Sequence, residues 1–171
     1  MNDWLTTTPT AFRGKKIFRL GLAPNYGVDE GGVRAAMDRG VNLFLWTAKR
    51  KGLERPLREA LKGRRDGVAV VAFVNIGFFG WGVRRGAESV LKSLDTDYID
   101  VLQLGWVGVG SAYTGATERE LVALRESGKV RAIGVSNYSV AQLDEWQATG
   151  VPLHALQPPH SVIRPAVAAA Q

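Results

Sequence analysis

Residues 128–139 of the chain read GKVRAIGVSNYS. A run of apolar, mostly β-branched residues between polar ends is typical of a strand that is buried on both faces of a sheet. Gly128 before the run suits the left-handed backbone that closes a helix. After it, Ser139 and Gln142 have the spacing of a capping box, which begins a helix. The stretch therefore predicts a strand over 130–136 between two helices.

The same alternation of strand and helix extends in both directions along the chain. Six strand–helix units of roughly 25 to 30 residues can be traced. The predicted strands span residues 17–23, 41–46, 68–74, 98–105, 130–136 and 153–157. Alternating units of this kind indicate a parallel α/β fold, and we expect an incomplete TIM (β/α) barrel with about six parallel strands and flanking helices. Residues 1–171 are predicted to form a single domain.

Local motifs predict several helix boundaries. Thr117 and Glu120 have the spacing of a second capping box. Gly40 and Gly150, like Gly128, each follow a helical stretch and precede a predicted strand, so all three are expected to close helices. Val140, Leu143 and Trp146 recur at a three-residue step, which predicts that this stripe packs on the sheet.

Composition restricts the class of protein and the kinds of partner. The 171 residues are 46% hydrophobic and 22% charged, as in a soluble globular domain, and include no cysteine. The formal charge of +6 is spread along the chain in small clusters, so nucleic-acid binding is not expected. No apolar run is long enough to cross a bilayer, and the N-terminus does not read as a secretion signal. We expect a cytoplasmic protein without membrane association.

A histidine-based metal site is not expected either. The chain has two histidines, His154 and His160, and no His-Glu-x-x-His arrangement. A metal site would have to recruit carboxylates from distant parts of the chain.

Several motifs resemble those of the aldo-keto reductases, in the same order and at suitable distances. They read GKVRAIGVSNYS at 128–139, FRLGL at 18–22, AAMDRGVNLF at 35–44, TA at 47–48, SLDTDYID at 93–100 and QPP at 157–159. Members of that family are eight-unit β/α barrels that usually reduce carbonyls with NADPH. The resemblance covers most of the chain and ends after the sixth unit, so it implies a barrel without its seventh and eighth strands.

The resemblance also implies where the proton-transfer residues should lie. A family member uses a tyrosine to protonate the carbonyl oxygen, a lysine paired with an aspartate to make that tyrosine more acidic, and a histidine to orient the substrate. At the corresponding positions this chain has Leu45 and Trp46 for the aspartate, Lys51 for the tyrosine, Phe73 or Asn75 for the lysine, and Gly105 for the histidine.

These replacements predict that ordinary carbonyl reduction is lost, because one positioned proton donor is worth about 10² to 10⁴ in rate. We therefore expect a binding or accessory protein that is not a reductase. The alternative is an NADP(H)-dependent oxidoreductase with a rebuilt site, in which Lys51, Asn75 or His160 takes over part of the work. Lys51 also suits a solvated surface position, and His160 also suits a solvent-facing turn.

The resemblance implies a partly kept cofactor site. Ser136, Asn137 and Gln157 match the polar residues that hold the nicotinamide amide in the family. The same residues also suit a strand-to-helix turn for local reasons, since their side chains readily bond nearby backbone. The last two units, which clasp the adenosine and its phosphates in the family, are missing. We expect no NADP(H) binding or weak binding.

A glycine-rich loop carries aromatic residues after the third predicted strand. Residues 76–82 read IGFFGWG, and Tyr26 and Trp106 are expected to face the same end of the barrel. These rings would line an apolar pocket for a small molecule, or plug an incomplete barrel mouth.

The missing strands have a second consequence, since a barrel of six strands leaves two edges unpaired. Exposed edges favour pairing with another chain, so self-association is predicted. The competing explanation is that the chain is a fragment of a longer protein.

Overall fold

The computed structural model describes residues 3–47, 51–74, 81–105 and 115–158. Five parallel strands, in the order in which they follow one another along the chain, form a curled half-barrel with helices on its outer side. The strands are β3 (Leu43–Trp46), β4 (Ala69–Val74), β5 (Ile99–Leu104), β6 (Val130–Ser136) and β7 (Ala155–Gln157). The helices are α1 (Glu30–Asp38), α2 (Lys51–Arg64), α3 (Trp81–Leu94), α4 (Gly115–Glu126) and α5 (Val140–Ala148). The expected partial TIM barrel is confirmed.

The start of the chain differs from the prediction of a strand over 17–23. Ile17–Phe18 (β2) pairs antiparallel with Thr6–Thr7 (β1), and the N–H of Arg19 still donates to Leu5 O at 2.8 Å. Only Leu22 reaches the parallel sheet, through one bridge to Phe44. The hairpin therefore uses the first half of the predicted strand, and the first barrel strand is reduced to a single contact.

The core lies between the outer face of the sheet and the helices. Phe44, Leu102 and Ile133 are fully buried there, and Trp146 of α5 is buried with them. Val140 of the same predicted stripe is 65% exposed, so the prediction is wrong at this residue. Val140 opens the helix after the end of β6, and it therefore lies beyond the sheet on which Trp146 packs.

The predicted helix boundaries are confirmed with one exception. Ser139 and Gln142 form the complete capping box, and Gly40, Gly128 and Gly150 have φ of 93°, 76° and 73°. Thr117 does not cap a helix, because α4 already begins at Gly115 and the Thr117 side chain is buried. A capping residue needs a non-helical backbone, which Thr117 lacks.

A buried ion cluster joins the hairpin to the amino ends of the strands. Asp100 of β5 is 1% exposed. Its carboxylate lies 2.7 Å from Lys15 Nζ and 3.0 Å from Arg65 Nη2, and it accepts the N–H of Val70 at 2.9 Å. Burial lowers the pKa of Lys15, although Asp100 opposes this change. The cluster ties three distant parts of the chain to one carboxylate.

Tyr98 extends this cluster as an aromatic plate. The guanidinium carbons of Arg65 and Arg131 lie 3.5 and 3.3 Å from its ring centroid, and Lys15 Nζ lies 5.2 Å away. Cations over an aromatic face are attracted by its quadrupole. Burial raises the pKa of the Tyr98 hydroxyl. The amino end of the half-barrel is therefore closed by charged groups that satisfy one another.

Candidate functional site

Polar residues meet where β6 and β7 end. Ser136 is paired in register with Gln157, and the N–H of Asn137 donates to Gln157 O at 3.0 Å. Ser136 is buried, whereas the side chains of Asn137 and Gln157 are exposed. The structure thus brings together all three residues that sequence reasoning assigned to an amide-binding site.

Local backbone features bring these two strands so close. A Cβ atom at Gly134 would lie 3.1 Å from the carbonyl oxygen of Ala155, so only glycine lets β7 approach β6 without displacement. Asn137 has φ of 60°, in the left-handed region that asparagine tolerates better than most residues. The chain can therefore turn sharply from β6 towards α5 directly after Ser136.

The positions expected for proton transfer hold uncharged residues wherever the structure describes their side chains. Trp46 is 3% exposed and packs in the core between sheet and helices. Phe73 is the register partner of Gln103, so its side chain points to the inner, concave face of the sheet. Gly105 is buried and its N–H donates to Val74 O at 2.7 Å.

The side chains of the three candidates for proton transfer lie outside the part of the chain that the structure describes. Lys51 begins α2, but its side chain lies outside the described part of the chain. Asn75 and His160 lie wholly outside the described residues, as do the aromatic residues at 76–80 and Trp106. The predicted roles of these residues stay predictions.

The concave face of the half-barrel borders an open cavity of about 310 Å³. Its walls include Phe12, Leu45, Val71, Val101 and Leu156, with two polar residues, Gln103 and Gln157. Tyr26, which was expected to face the barrel mouth, is 96% exposed and does not line this cavity. In the described part of the chain the cavity is thus mostly aliphatic, and the contribution of the aromatic residues at 76–82 and of Trp106 stays a prediction.

Gln103 was missed by sequence reasoning. Its side chain is 3% exposed, and its Nε2 donates to Val135 O in a long hydrogen bond of 3.4 Å. Its Oε1 has no hydrogen-bond partner among the described residues. A buried acceptor without a partner is costly, so it favours a ligand that donates a hydrogen bond. The sequence signal was a polar residue two positions after Val101, at the inward-facing period of a strand.

Thr47, Asn25 and Gly52 pack closely beside the end of β3. Thr47 Oγ1 lies 3.1 Å from Asn25 Oδ1, which fixes the loop that follows the Leu22 bridge. A Cβ atom at Gly52 would clash with the carbonyl oxygen of Val28, so α2 can start against this loop only with glycine at that position. Thr47 and Asn25 contribute hydrogen-bonding groups at this end of the strand.

The described parts of the chain contain no cluster of three metal-ligating His, Cys, Asp or Glu side chains. Within the same residues, no helix has both the length and the apolar character needed to cross a bilayer.

His154 lies at the opposite end of the sheet from this mouth. Its Nδ1 accepts the backbone N–H of Ile133 at 3.3 Å, and the backbone N–H of His154 donates to Ile133 O at 2.8 Å. Burial, followed by the positive charge of Arg125, lowers the pKa of His154 below its usual 6.5. The neutral imidazole is therefore the form that the fold prefers.

This preference predicts a pH dependence of stability. On acidification below pH 6.5 the unfolded chain takes up a proton before the folded chain does, so the free energy of unfolding should fall. Because the imidazole is partly solvated, we expect a loss of only about 0.5 kcal/mol between pH 7 and pH 5. Urea denaturation of the wild type and His154→Gln measures it as the difference between their pH profiles. Parallel profiles would contradict this assignment.

Comparisons with known proteins agree with this architecture. The sequence model described as "Aldo/keto reductase family" matches residues 32–169. The chain is 36% identical over 146 residues to the aldo-keto reductase YhdN of Bacillus subtilis (strain 168), covering 76% of this chain and 43% of that protein. It is 38% identical over 104 residues to the methylglyoxal reductase YeaE of Escherichia coli (strain K12), covering 58% of this chain and 35% of that protein. The chain thus spans less than half of the length of these relatives.

Solved structures show a similar likeness. The thermostable aldo-keto reductase Tm1743, in complex with the inhibitor epalrestat, superposes with a TM-score of 0.71 at 27% identity, covering 86% of this chain and 60% of that one. An aldo-keto reductase from Klebsiella pneumoniae, in complex with NADPH, superposes with a TM-score of 0.69 at 25% identity, covering 83% of this chain and 54% of that one.

Proposed function

Because the chain belongs to the aldo/keto reductase family, we propose that it is a binding or accessory member that has lost the ordinary carbonyl-reducing chemistry of that family. Its ligand would be a small neutral molecule held in the 310 Å³ cavity of the half-barrel. The aliphatic walls favour an apolar body, and the unpartnered Oε1 of Gln103 favours one hydrogen-bond donor on the ligand.

The observation that carries this proposal is the set of residues at the carboxyl ends of the strands. Catalytic groups of barrel enzymes come from these strand ends. Here β3 ends in Trp46 followed by Thr47, β4 ends in Phe73 and Val74, and β5 ends in Leu104 followed by Gly105. None of these side chains titrates, and Trp46 belongs to the hydrophobic core. A proton for a carbonyl oxygen would have to come from elsewhere.

The described residues fit part of a nicotinamide cofactor. Ser136, Asn137 and Gln157 offer hydroxyl and amide groups that complement a carboxamide. When bound, NADPH would supply a hydride, and these side chains would orient the ring that carries it. These side chains would contact only the amide end of the cofactor, so the affinity that they supply by themselves should be low.

We therefore expect weak cofactor binding in a fluorescence titration with NADPH. No saturable quenching should appear at micromolar cofactor, and any specific response should be confined to the millimolar range. If a millimolar response occurs, Gln157→Leu should abolish it, while Gln147→Leu on the exposed side of α5 should leave it unchanged. Half-saturation at micromolar NADPH would contradict the proposal of a lost reductase.

A second candidate function is NADP(H)-dependent reduction by a rebuilt site. The amide-binding trio, which is retained and assembled at the ends of β6 and β7, favours it. Lys51, Asn75 or His160 would then take part in proton transfer. The name of the Escherichia coli relative suggests methylglyoxal as the assay substrate that separates the two candidates.

Two further proposals concern the whole protein. Residues 1–171 would form one domain, and the edge of the sheet at β7 would take part in self-association. Leu156 on this edge strand is 48% exposed, which supports an apolar contact there.

A further inference from the structure

A second pocket lies at the other end of the half-barrel from the mouth. It is formed where α4 ends, where the chain enters β7 and where the N-terminal hairpin turns, and it holds about 320 Å³. It is lined by Arg13, Val122, Arg125, Glu126, Ile133 and Pro152. Because parallel strands share their direction, these segments before β6 and β7 lie far from the Ser136 and Gln157 end.

Two arginines face this pocket without partners of their own. Among the described residues, the guanidinium groups of Arg13 and Arg125 make no hydrogen bond and no ion pair. By contrast, Arg34 of α1 is paired with Glu59 at 2.7 Å. The two guanidinium groups therefore keep their donors available to a ligand.

The backbone of Arg13 sets the direction in which its side chain leaves the turn. It has φ of 51°, in the left-handed region, and its N–H donates to Thr10 O at 3.0 Å at the end of a short 3₁₀ turn. A side chain on a defined turn loses less conformational freedom on binding than one on a loose loop. Val122, Ile133 and Pro152 supply an apolar floor between the two arginines and the sheet.

The charge at this place is positive on balance. Glu126 is the one acidic residue among the six that line the pocket, against two arginines. The depressed pKa of the neighbouring His154 supports this, because burial and the charges of Arg125 and Arg13 lower it. A bound anion would reduce the repulsion between the positive charges of Arg13 and Arg125.

We propose that this pocket binds a small organic anion, a carboxylate or a phosphate, whose charge lies between Arg13 and Arg125 and whose apolar body lies on Val122, Ile133 and Pro152. Paired guanidinium groups match the geometry of both oxyanions. The site is separate from the cavity mouth and uses none of its residues, so it does not depend on the proposed function.

Isothermal titration calorimetry with sodium benzoate and with sodium phosphate, at constant ionic strength, tests the proposal. We expect saturable binding of at least one probe. Arg125→Gln should weaken it about tenfold, as expected from the loss of one charge-assisted hydrogen bond. Glu126→Gln should strengthen it about threefold, because it removes a repelling carboxylate. Arg119→Gln is the matched control, since Arg119 lies on the same helix α4 but outside the pocket.

The outcomes separate the two sources of the anion. Binding of benzoate alone identifies a carboxylate with an apolar body, and binding of phosphate alone identifies a phosphorylated ligand. The proposal is overturned if neither probe saturates. It is also overturned if Arg119→Gln and Arg125→Gln weaken binding equally, because general charge attraction then explains the result.

Discussion

Replacing Asp100 with asparagine is expected to lower the free energy of unfolding by about 3 to 5 kcal/mol, the usual cost of removing one partner from a buried ion cluster. The carboxylate is 1% exposed and lies 2.7 Å from Lys15 Nζ and 3.0 Å from Arg65 Nη2. The side-chain oxygen of asparagine can still accept the N–H of Val70, so the loss of stability measures the effect of removing the charge. Two largely buried cations would remain without this counterion, and the N-terminal hairpin would lose one of its attachments to the sheet.

Asp95→Asn is the matched control for this measurement. Asp95 also pairs with a lysine, at 2.9 Å from Lys62 Nζ, but the two side chains are 63% and 62% exposed. Solvated pairs contribute little to stability, so the control should unfold at nearly the same urea concentration as the wild type. If both variants lose the same stability, burial of the Asp100 cluster is not what makes it important.

The rate of methylglyoxal reduction with NADPH should be lower than the rate of the Escherichia coli methylglyoxal reductase by about 10²-fold to 10⁴-fold. This range is the usual contribution of one positioned proton donor. The physical reason lies at the strand ends, where Trp46, Phe73 and Gly105 carry no group that donates a proton. The rate of NADPH absorbance loss, measured for both proteins in one buffer, checks this expectation.

Variants at the weak candidates distinguish residual chemistry from contamination. If slow turnover is found, Lys51→Met and His160→Gln test whether either residue supplies the proton. A rate that matches the relative, and that one of these substitutions abolishes, would establish the rebuilt reductase in place of the binding protein.

The parts of the fold that were predictable are those with local signals. The run from Val130 to Ser136 is apolar without interruption and is bounded by Gly128 and the Ser139 cap, and its predicted bounds are those of β6. The trio at the ends of β6 and β7 came from the family resemblance, and its role in holding an amide stays a prediction. The structure added that a glycine at 134 brings them together.

Pairings between distant residues were the parts that failed or were missed. Nothing around residues 17–23 indicates that Ile17–Phe18 will pair with Thr6–Thr7, because strands of two residues leave almost no periodic pattern. The Asp100 cluster and the two-arginine pocket likewise depend on residues more than 80 positions apart, such as Lys15 and Asp100. Gln103 could be seen as polar, but its unpartnered oxygen depends on its neighbours in the fold.

The 3₁₀ turn at Thr10–Phe12 covers the amino end of the concave face of the half-barrel. Ala11 packs on Val101 and Ala132 of the inner face, Phe12 lines the cavity, and the Asp100 cluster anchors the hairpin that carries both. Among the described residues, this turn therefore obstructs passage to Gln103 through the amino end of the half-barrel. Gln157 lines the cavity at the other end of the strands, so a substitution there should change the entry and exit rates of a ligand that passes it.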